Sequence, residues 1–445
     1  MSKSSTHQIA AAVIGNALEW YDFIVYGFMT AVIAVVFFPA ENAYASLLLT
    51  TASFGIGFVL RPIGGILIGA YADRKGRRAA LQLIIFLMTV ATAMIAFAPP
   101  YAAIGVASSI MIIVARMLQG LATGGEFASA TAFLVEMAPP NRRGLYGSWQ
   151  MFGQGLAMLL GAGVAALITG LLPRESLHAW GWRIPFIVGL LIAPIGIWIR
   201  HHLSETAEVA DKTDRGVAGV VGHTLREHRR GLLASFLLTT SATISFYVLV
   251  IYLPTYASKT LGIPLESAFI AQCVGIVVMI IAIPLCGALS DRIGRQAVLR
   301  TALILSVLLL YPCFAWLTAN PGMERFMWMQ VVLCGIFGAF LGPFSSAVAE
   351  QFPQKNRSTG MAVSYNMAVM IFGGFAQFIL TWLLHVTGSP LTPAFYLLFG
   401  SCAGLIGSLI MVRAEMQRPR DDASRSRGVA FVCPSCGRRS ALDEG

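Results

Sequence analysis

Two arginines lie deep inside long apolar stretches of this 445-residue chain. Arg61 directly precedes Pro62, and Arg116 lies well inside a second apolar stretch. An arginine near the centre of a bilayer costs at least about 2.5–3.5 kcal/mol to insert, so each should face a protein interior. Because a guanidinium binds carboxylates bidentately, the pair favours an anionic ligand. For Arg61 the alternative is a structural arginine that stabilises the kink or snorkels to an interface.

Three acidic residues accompany these arginines. Glu19 and Asp22 are three residues apart and share a helix face, and Glu126 follows Arg116 by ten residues. We expect Glu19 or Asp22 to contact Arg116 and to exchange a proton as the charges rearrange; a permanent structural ion pair is the alternative. Glu126 is either a gate or second proton site, or a charge paired in a water-filled vestibule.

Polar uncharged residues in the same stretches are candidates for lining a cavity. Any single one is more often an interhelical hydrogen bond than a ligand. The candidates for substrate binding, besides Arg61 and Arg116, are Tyr21, Tyr26, Gln119, Gln150 and Asn366. Further polar positions of the same kind are Gln154, Tyr247, Tyr252 and Gln377.

The elements that position these residues must be membrane-spanning helices. Hydrophobic residues make up 57% of the chain and charged residues 12%, about half the charged share of a soluble protein. This composition excludes soluble enzymes and nucleic-acid-binding domains. A span needs about 20 apolar residues, and we predict an all-α protein with twelve. They are spans 1 to 12 at residues 9–38, 45–71, 79–98, 102–135, 144–172, 181–200, 231–257, 266–289, 297–318, 324–349, 358–385 and 391–413.

The basic residues predict the orientation of these spans. With alternating spans, 25 Lys and Arg residues fall on the side of the N-terminus and 4 on the other. Cytoplasmic loops carry the excess of positive charge. We therefore expect a multi-pass protein of the inner (plasma) membrane with both termini in the cytoplasm.

The two halves of the chain repeat. The sequence from Gly69 to Arg78 after span 2 returns from Gly287 to Gln296 after span 8, and a Glu-Pro-Arg motif follows spans 4 and 10. Related halves place a substrate site at their interface. We expect six-helix bundles at 1–200 and 231–413, a cytoplasmic loop at 201–230, and a disordered cytoplasmic tail at 414–445.

These motifs resemble the major facilitator superfamily, whose loop signature G-x-x-x-D-R-x-G-R-R is complete in the first half and carries Gln296 in place of the last basic residue in the second. Within it the chain looks like the metabolite–proton symporters, which include citrate, 2-oxoglutarate, shikimate and proline/betaine carriers. The segments that show this resemblance are Gly15–Phe23, Leu60–Gly65, Arg116–Gly120 and Trp180–Phe186.

The resemblance implies a fold and a mechanism. The fold would be two pseudo-symmetric six-helix bundles, and the mechanism proton symport of a small carboxylate, citrate or a related di- or tricarboxylate, by alternating access. The loop acids would form a latch that favours the outward-open state; positive-inside anchoring is the alternative. Residues assigned to the latch are Gly69, Asp73, Arg74, Gly76, Arg77, Arg143, Asp291, Arg292 and Arg357.

Other interpretations are weaker. A proline/betaine-type zwitterion symporter is the first alternative and a non-transporting membrane sensor the remote one. Cys433 and Cys436 resemble half of a zinc ribbon, but the tail has no third ligand, so we expect no metal site and no cofactor. The partners expected are an organic acid, protons and the lipid bilayer, with no nucleic acid, and the protein is expected to be a monomer.

Overall fold

The computed structural model describes residues 3–75, 77–124, 126–191, 228–354 and 357–411, which belong to one compact unit. Every regular element in these ranges is a helix. Most of the predicted central loop, residues 201–227, and all of the predicted tail lie outside the described residues, as do Cys433 and Cys436.

The helices of the first half follow spans 1 to 6. Span 1 is built from two helices, span 2 from two, and span 4 from three. In chain order they are Lys3–Phe28, Thr30–Phe37, Ala43–Val59, Arg61–Lys75, Arg77–Ala96, Tyr101–Ile104, Val106–Ala122, Glu126–Glu136, Arg143–Leu171, the short connecting helix Arg174–Ala179, and Gly181–Leu191, which is the described part of span 6.

Spans 7 to 12 form the second half. Two of them, spans 7 and 11, contain a π-helical segment. The elements are Arg229–Ser245, the π-helix Phe246–Tyr252, Leu253–Thr260, Leu265–Ile293, Arg295–Ala319, Met323–Ala349, Arg357–Ala368, the π-helix Val369–Gly373, Ala376–Thr387 and Thr392–Ile410.

Most of the twelve predicted spans meet the length and hydropathy of a membrane-spanning helix. In the described ranges eight do so, and span 1 adds a ninth if its two helices are counted together. Spans 3, 4 and 6 contribute the shorter apolar helices Gln82–Ala96, Val106–Ala122 and Gly181–Leu191. All twelve predicted spans therefore contain an apolar helix at the expected place.

The continuity of spans 1, 2 and 4 differs from the prediction. Span 1 bends by 63° where its two helices meet at Met29. The Thr30 hydroxyl donates to the Gly27 carbonyl at 2.7 Å beside this bend, and a polar side chain that bonds to the backbone competes with the helical ladder. Span 2 breaks at Leu60, two residues before Pro62, and span 4 breaks after Ala122. The break in span 2 directly precedes Arg61, and the break in span 4 follows Arg116 by six residues.

Span 4 packs closely against span 2 through two glycines four residues apart, Gly120 and Gly124. A Cβ at Gly120 would lie 1.7 Å from the Gly57 carbonyl oxygen, and one at Gly124 would lie 2.1 Å from the Arg61 carbonyl oxygen. Small residues permit this backbone approach in membranes. The second half repeats the arrangement, since a Cβ at Gly275 would lie 3.1 Å from Gln330 and 3.2 Å from Cys334.

Gly120→Ala is expected to lower thermal stability, because the added methyl meets backbone that cannot move aside. Overpacking costs about 1–3 kcal/mol. Tryptophan fluorescence of the purified protein during heating measures the effect. Gly163→Ala is the matched control, since a Cβ at Gly163 meets nothing within 4 Å. Equal melting temperatures for the two variants would contradict the close packing of spans 2 and 4.

Candidate functional site: two buried arginines

Arg61 and Arg116 both contact the aromatic ring of Phe23. Both side chains are buried, with 2% and 0% of their surface exposed. The Arg61 guanidinium carbon lies 4.2 Å from the centroid of the Phe23 ring, and that of Arg116 lies 4.5 Å from the same centroid. The prediction that both arginines face the protein interior is confirmed. Two cations that were 55 residues apart in the sequence share one site.

Aromatic rings surround both guanidinium groups. Phe58 lies 4.2 Å from Arg61, while Tyr26 and Phe54 lie 4.8 Å and 4.7 Å from Arg116. Trp20 completes the shell at 5.6 Å from Arg61. A ring face attracts a cation, and more strongly where water is excluded. The rings therefore offset part of the cost of burying two positive charges without neutralising them.

The hydrogen bonds of the two arginines are incomplete. Arg116 donates from Nη1 to Gln119 Oε1 at 2.6 Å and to the Phe23 carbonyl at 3.2 Å. Nε and Nη2 of both arginines have no acceptor within the described part of the chain. A buried donor without an acceptor costs free energy, and more so when it is charged. The site thus presents four guanidinium nitrogens suited to an anionic ligand.

The second half contributes Tyr247 to this site. The ring is 2% exposed and packs edge-on against Phe58, with centroids 5.3 Å apart, and against Phe54 at 5.9 Å. Its phenol interacts electrostatically with both guanidinium groups. The arginine site therefore lies between the two halves, where their repetition predicted a substrate site.

Asp22 lies beside the arginine site but faces another helix. A Cβ on Gly189 of span 6 would lie 2.0 Å from Asp22 Oδ1, so the carboxylate packs directly against that glycine. Gln119 connects the two regions: its amide bonds to Arg116, to the Asp22 backbone carbonyl at 3.4 Å and to the Thr92 hydroxyl at 3.3 Å. The side chains of Glu19 and Glu126 lie outside the described residues.

The remaining candidates for substrate binding divide into two groups. Tyr26 and Gln119 contact Arg116 directly. Tyr21, Gln150 and Asn366 bond elsewhere: Tyr21 donates to the Pro185 carbonyl at 2.9 Å, Gln150 exchanges hydrogen bonds with Asn16, and Asn366 donates to the Gly124 carbonyl at 2.8 Å. These last three contacts are interhelical hydrogen bonds, the alternative that the sequence left open for each residue.

Asp291 joins the halves at the end of the molecule predicted to face the cytoplasm. Its two carboxylate oxygens accept hydrogen bonds from the backbone N–H groups of Gly144 at 2.8 Å and Leu145 at 2.9 Å. These groups belong to the first turn of span 5, and a helix N-terminus attracts negative charge. A Cβ at Gly144 would lie 2.9 Å from Asp291. The Arg143–Gly144 turn thus holds the predicted latch acid through its backbone.

Further ion pairs surround this contact. Arg357 of span 11 pairs with Glu136 of span 4 at 3.0 Å, and Arg295 pairs with Glu350 at 2.8 Å and with Asp291 at 3.3 Å. Burial raises the pKa of Glu350 above its usual value, although Arg295 and Arg143 oppose the shift. As the pH falls, Glu350 is therefore protonated at a higher pH than an exposed glutamate, and its ion pair with Arg295 is lost there.

The opposite end of the molecule is also closed by contacts between the halves. Tyr44 of span 2 stacks on His385 of span 11 with ring centroids 3.8 Å apart. The Thr30 hydroxyl donates to Gln377 at 3.3 Å. With contacts at both ends, the structure has an occluded arrangement around the arginines. Of the other latch residues, Arg292 is exposed, while Gly76 and the side chains of Asp73, Arg74 and Arg77 lie outside the described residues, as does Gly69 beyond its helical backbone.

Asp291→Ala is expected to open the end predicted to face the cytoplasm, because it removes two charge-assisted hydrogen bonds between the halves. A cysteine placed at Ala362, which lines a small cavity with Arg61, reports opening by its alkylation rate in inside-out vesicles. We expect at least about a threefold increase, from a loss on the order of 1 kcal/mol. Arg229→Ala is the control, because it changes an exposed arginine at the start of span 7 that is not assigned to the latch. Equal rates in both variants would refute the latch.

The sequence and the fold of this chain are similar to those of known membrane transporters. Residues 8–212 match the family of sugar (and other) transporters, and residues 274–441 match the major facilitator superfamily. A citrate-proton symporter of Salmonella typhi is 35% identical over 397 residues, covering 89% of this chain and 92% of the relative. The chain belongs to the major facilitator superfamily, as a metabolite–proton symporter. The twelve-helix fold of this superfamily, with two pseudo-symmetric six-helix bundles, fits the helices of the described residues, and the chain is a multi-pass membrane protein.

Other members of the superfamily are also similar. A citrate-proton symporter of Klebsiella pneumoniae is 33% identical, covering 90% of each chain. A proline/betaine transporter of Salmonella typhimurium is 32% identical, covering 94% of this chain and 85% of the relative. The crystal structure of a D-xylose-proton symporter covers 92% of this chain and 97% of its own, with a TM-score of 0.70 and 17% identity. At that identity the likeness concerns the fold alone.

Proposed function

We propose that this symporter imports a small organic carboxylate of the citrate type together with protons. The observation that carries the proposal is the pair of buried arginines with unpaired donors. A di- or tricarboxylate supplies several acceptor oxygens, enough to engage both guanidinium groups at once. The names of the relatives from Salmonella typhi and Klebsiella pneumoniae support citrate as the first substrate to test.

Protons are required by the charge of the substrate. Moving one negative charge inward against a potential of 100 mV, interior negative, costs about 2.3 kcal/mol. Import of a multiply charged anion therefore needs at least as many protons as charges to escape this penalty. We propose that Asp22 takes part in the coupling, since its carboxylate lies inside the membrane and the Gln119 side chain connects its backbone carbonyl to Arg116. Glu19 and Glu126 are the further candidates.

A zwitterion such as proline or betaine is the second candidate substrate. Six aromatic rings surround the arginine site, and aromatic faces bind quaternary ammonium groups. A betaine carboxylate would meet one arginine while its ammonium met a ring. Relatives named for proline and betaine transport are 31–33% identical. The pair of arginines favours the dianionic or trianionic substrate, because a zwitterion would leave one cation without a counter-charge.

The orientation and assembly follow from the same proposal. With the basic loops in the cytoplasm, both termini lie on the cytoplasmic side and the Asp291 latch closes the cytoplasmic end. The arginine site is assembled entirely from one chain, so we propose a monomer in the lipid bilayer as the working unit. The two bundles at 1–200 and 231–413 would rock about this site, with the loop at 201–230 as their connection.

Uptake of labelled citrate into proteoliposomes tests the proposal. With an inward proton gradient, we expect accumulation above the external concentration, and competition by excess 2-oxoglutarate or other carboxylates. Betaine and proline should not compete. Accumulation of betaine but not citrate would favour the second candidate, and no transport of either by folded protein would overturn the proposal.

A further inference from the structure

We infer that the Tyr247 hydroxyl donates a hydrogen bond to a carboxylate of the substrate held by Arg61 and Arg116. Tyr247 would then be the contact through which the second bundle takes part in binding. The inference rests on the proposed function, because it assumes an anion at the arginines. It adds a residue of the other bundle and a specific bond to that site.

The Tyr247 hydroxyl has no acceptor for its proton within the described ranges. The side chain that interacts with it by hydrogen bonding is Arg61, and a guanidinium can only donate. The Tyr247 side chain is 2% exposed, yet Oη has no hydrogen-bond partner of normal geometry within the described ranges. A buried tyrosine hydroxyl usually finds a partner, and one that does not costs free energy. The charged groups near the phenol are Arg61 and Arg116. An anion bound to those arginines would bring an acceptor to the hydroxyl.

The neighbouring positions of the same segment have structural partners. Tyr247 lies in the π-helix Phe246–Tyr252, and π-helical segments are frequent at functional sites. The Tyr252 hydroxyl bonds to Thr381 at 2.7 Å, and the Leu249 carbonyl accepts from Gln330 at 3.4 Å. Tyr252 is therefore a tyrosine of the same π-helix whose hydroxyl is already used. It provides a matched comparison.

The second bundle contributes uncharged hydrogen-bond donors where the first bundle contributes a cation. Gln330 follows Arg116 by 214 residues, the offset that also separates the Glu-Pro-Arg motifs. Both side chains donate to a backbone carbonyl of the first helix in their bundle, Arg116 to Phe23 and Gln330 to Leu249. Gln330 also bonds to Gln272. The second bundle thus carries an uncharged amide pair where the first carries a cation, and the Tyr247 phenol is a donor of that bundle near both guanidinium groups.

Isothermal titration with the purified protein tests the assignment. The ligands are citrate and propane-1,2,3-tricarboxylate, which lacks the citrate hydroxyl but keeps three carboxylates. Tyr247→Phe is expected to weaken binding of both ligands about tenfold, the effect of losing one hydrogen bond to a charged group. Tyr252→Phe should bind both ligands within about twofold of the wild type.

The outcomes separate this inference from the proposed function. Wild-type binding with unchanged affinity in Tyr247→Phe overturns the inference alone, and so does a loss confined to citrate, which would assign the hydroxyl of Tyr247 to the hydroxyl of citrate. Failure of the folded wild type to bind either ligand overturns both. If Tyr247→Phe does not fold, Tyr247→Cys is used instead: saturating tricarboxylate should slow its alkylation, and an unchanged rate in protein that binds the ligand overturns the inference.

Discussion

Arg116→Ala should reduce gradient-driven accumulation of citrate in proteoliposomes by more than about a hundredfold. Truncating a partner of a buried, hydrogen-bonded charge pair costs 2–5 kcal/mol or more, and a hundredfold corresponds to about 2.7 kcal/mol. Arg116 is fully buried and offers two donor nitrogens without acceptors. Its removal takes away half of the positive charge at the site, and the remaining cation cannot hold a multiply charged anion.

Two companion variants make this result specific. Arg116→Lys keeps the charge but loses the planar fork, so we expect intermediate uptake with a raised KM. Arg325→Ala removes an arginine near the start of span 10, at the end predicted to face outside, that donates to the Trp316 carbonyl, and uptake should be unchanged. Reconstituted amounts measured by immunoblotting control for membrane insertion. Normal citrate accumulation by Arg116→Ala would remove this residue from the binding site.

Asp22→Asn is expected to abolish accumulation while citrate exchange across the membrane continues. A buried carboxylate in a bilayer is costly when charged and far less so when protonated, so it suits a group that takes up and releases a proton during transport. Asparagine has nearly the same shape and cannot exchange the proton. Exchange of labelled for unlabelled citrate, without a gradient, needs no net proton movement. We therefore expect exchange at about wild-type rate and accumulation lowered at least tenfold.

The same two assays distinguish Asp22 from the other carboxylates. Glu19→Gln and Glu126→Gln are measured in parallel, and the carboxylate that couples transport is the one whose loss separates exchange from accumulation. Gly189→Ala supplies an independent perturbation, because its methyl would displace the Asp22 carboxylate. Asp22→Asn with undiminished accumulation would show that Asp22 is structural.

The helical architecture of this protein could be predicted from the sequence because each span is long and apolar. The paired offsets of the loop motifs predicted the two halves, and Gly287 and Asp291 indeed meet span 5 in the structure. The burial of Arg61 and Arg116 followed from the cost of exposing charge to lipid. Composition, repeats and the positions of charged residues can be read directly from a single sequence, without knowledge of the contacts between distant residues.

The details of the site depend on contacts that no local pattern displays. Phe23 and Phe58 meet only when spans 1 and 2 pack together, and Tyr247 joins them only when the second half packs against the first. The direction of Asp22 is set by the space at Gly189, and Tyr21 finds its acceptor at Pro185, 164 residues away. The bend of span 1 likewise lies beside a side-chain bond, from the Thr30 hydroxyl to the Gly27 carbonyl, that periodicity does not reveal.

The most direct test of proton-coupled carboxylate transport is the lumenal pH of proteoliposomes during citrate entry. Vesicles carrying a trapped pH-sensitive dye, with equal pH on both sides and the membrane potential clamped at zero, receive an inward citrate gradient. Proton symport predicts lumenal acidification greater than in protein-free vesicles, and its loss in Asp22→Asn if that residue carries the coupling. If citrate enters vesicles that contain the wild-type protein and the lumen does not acidify, proton-coupled transport is contradicted.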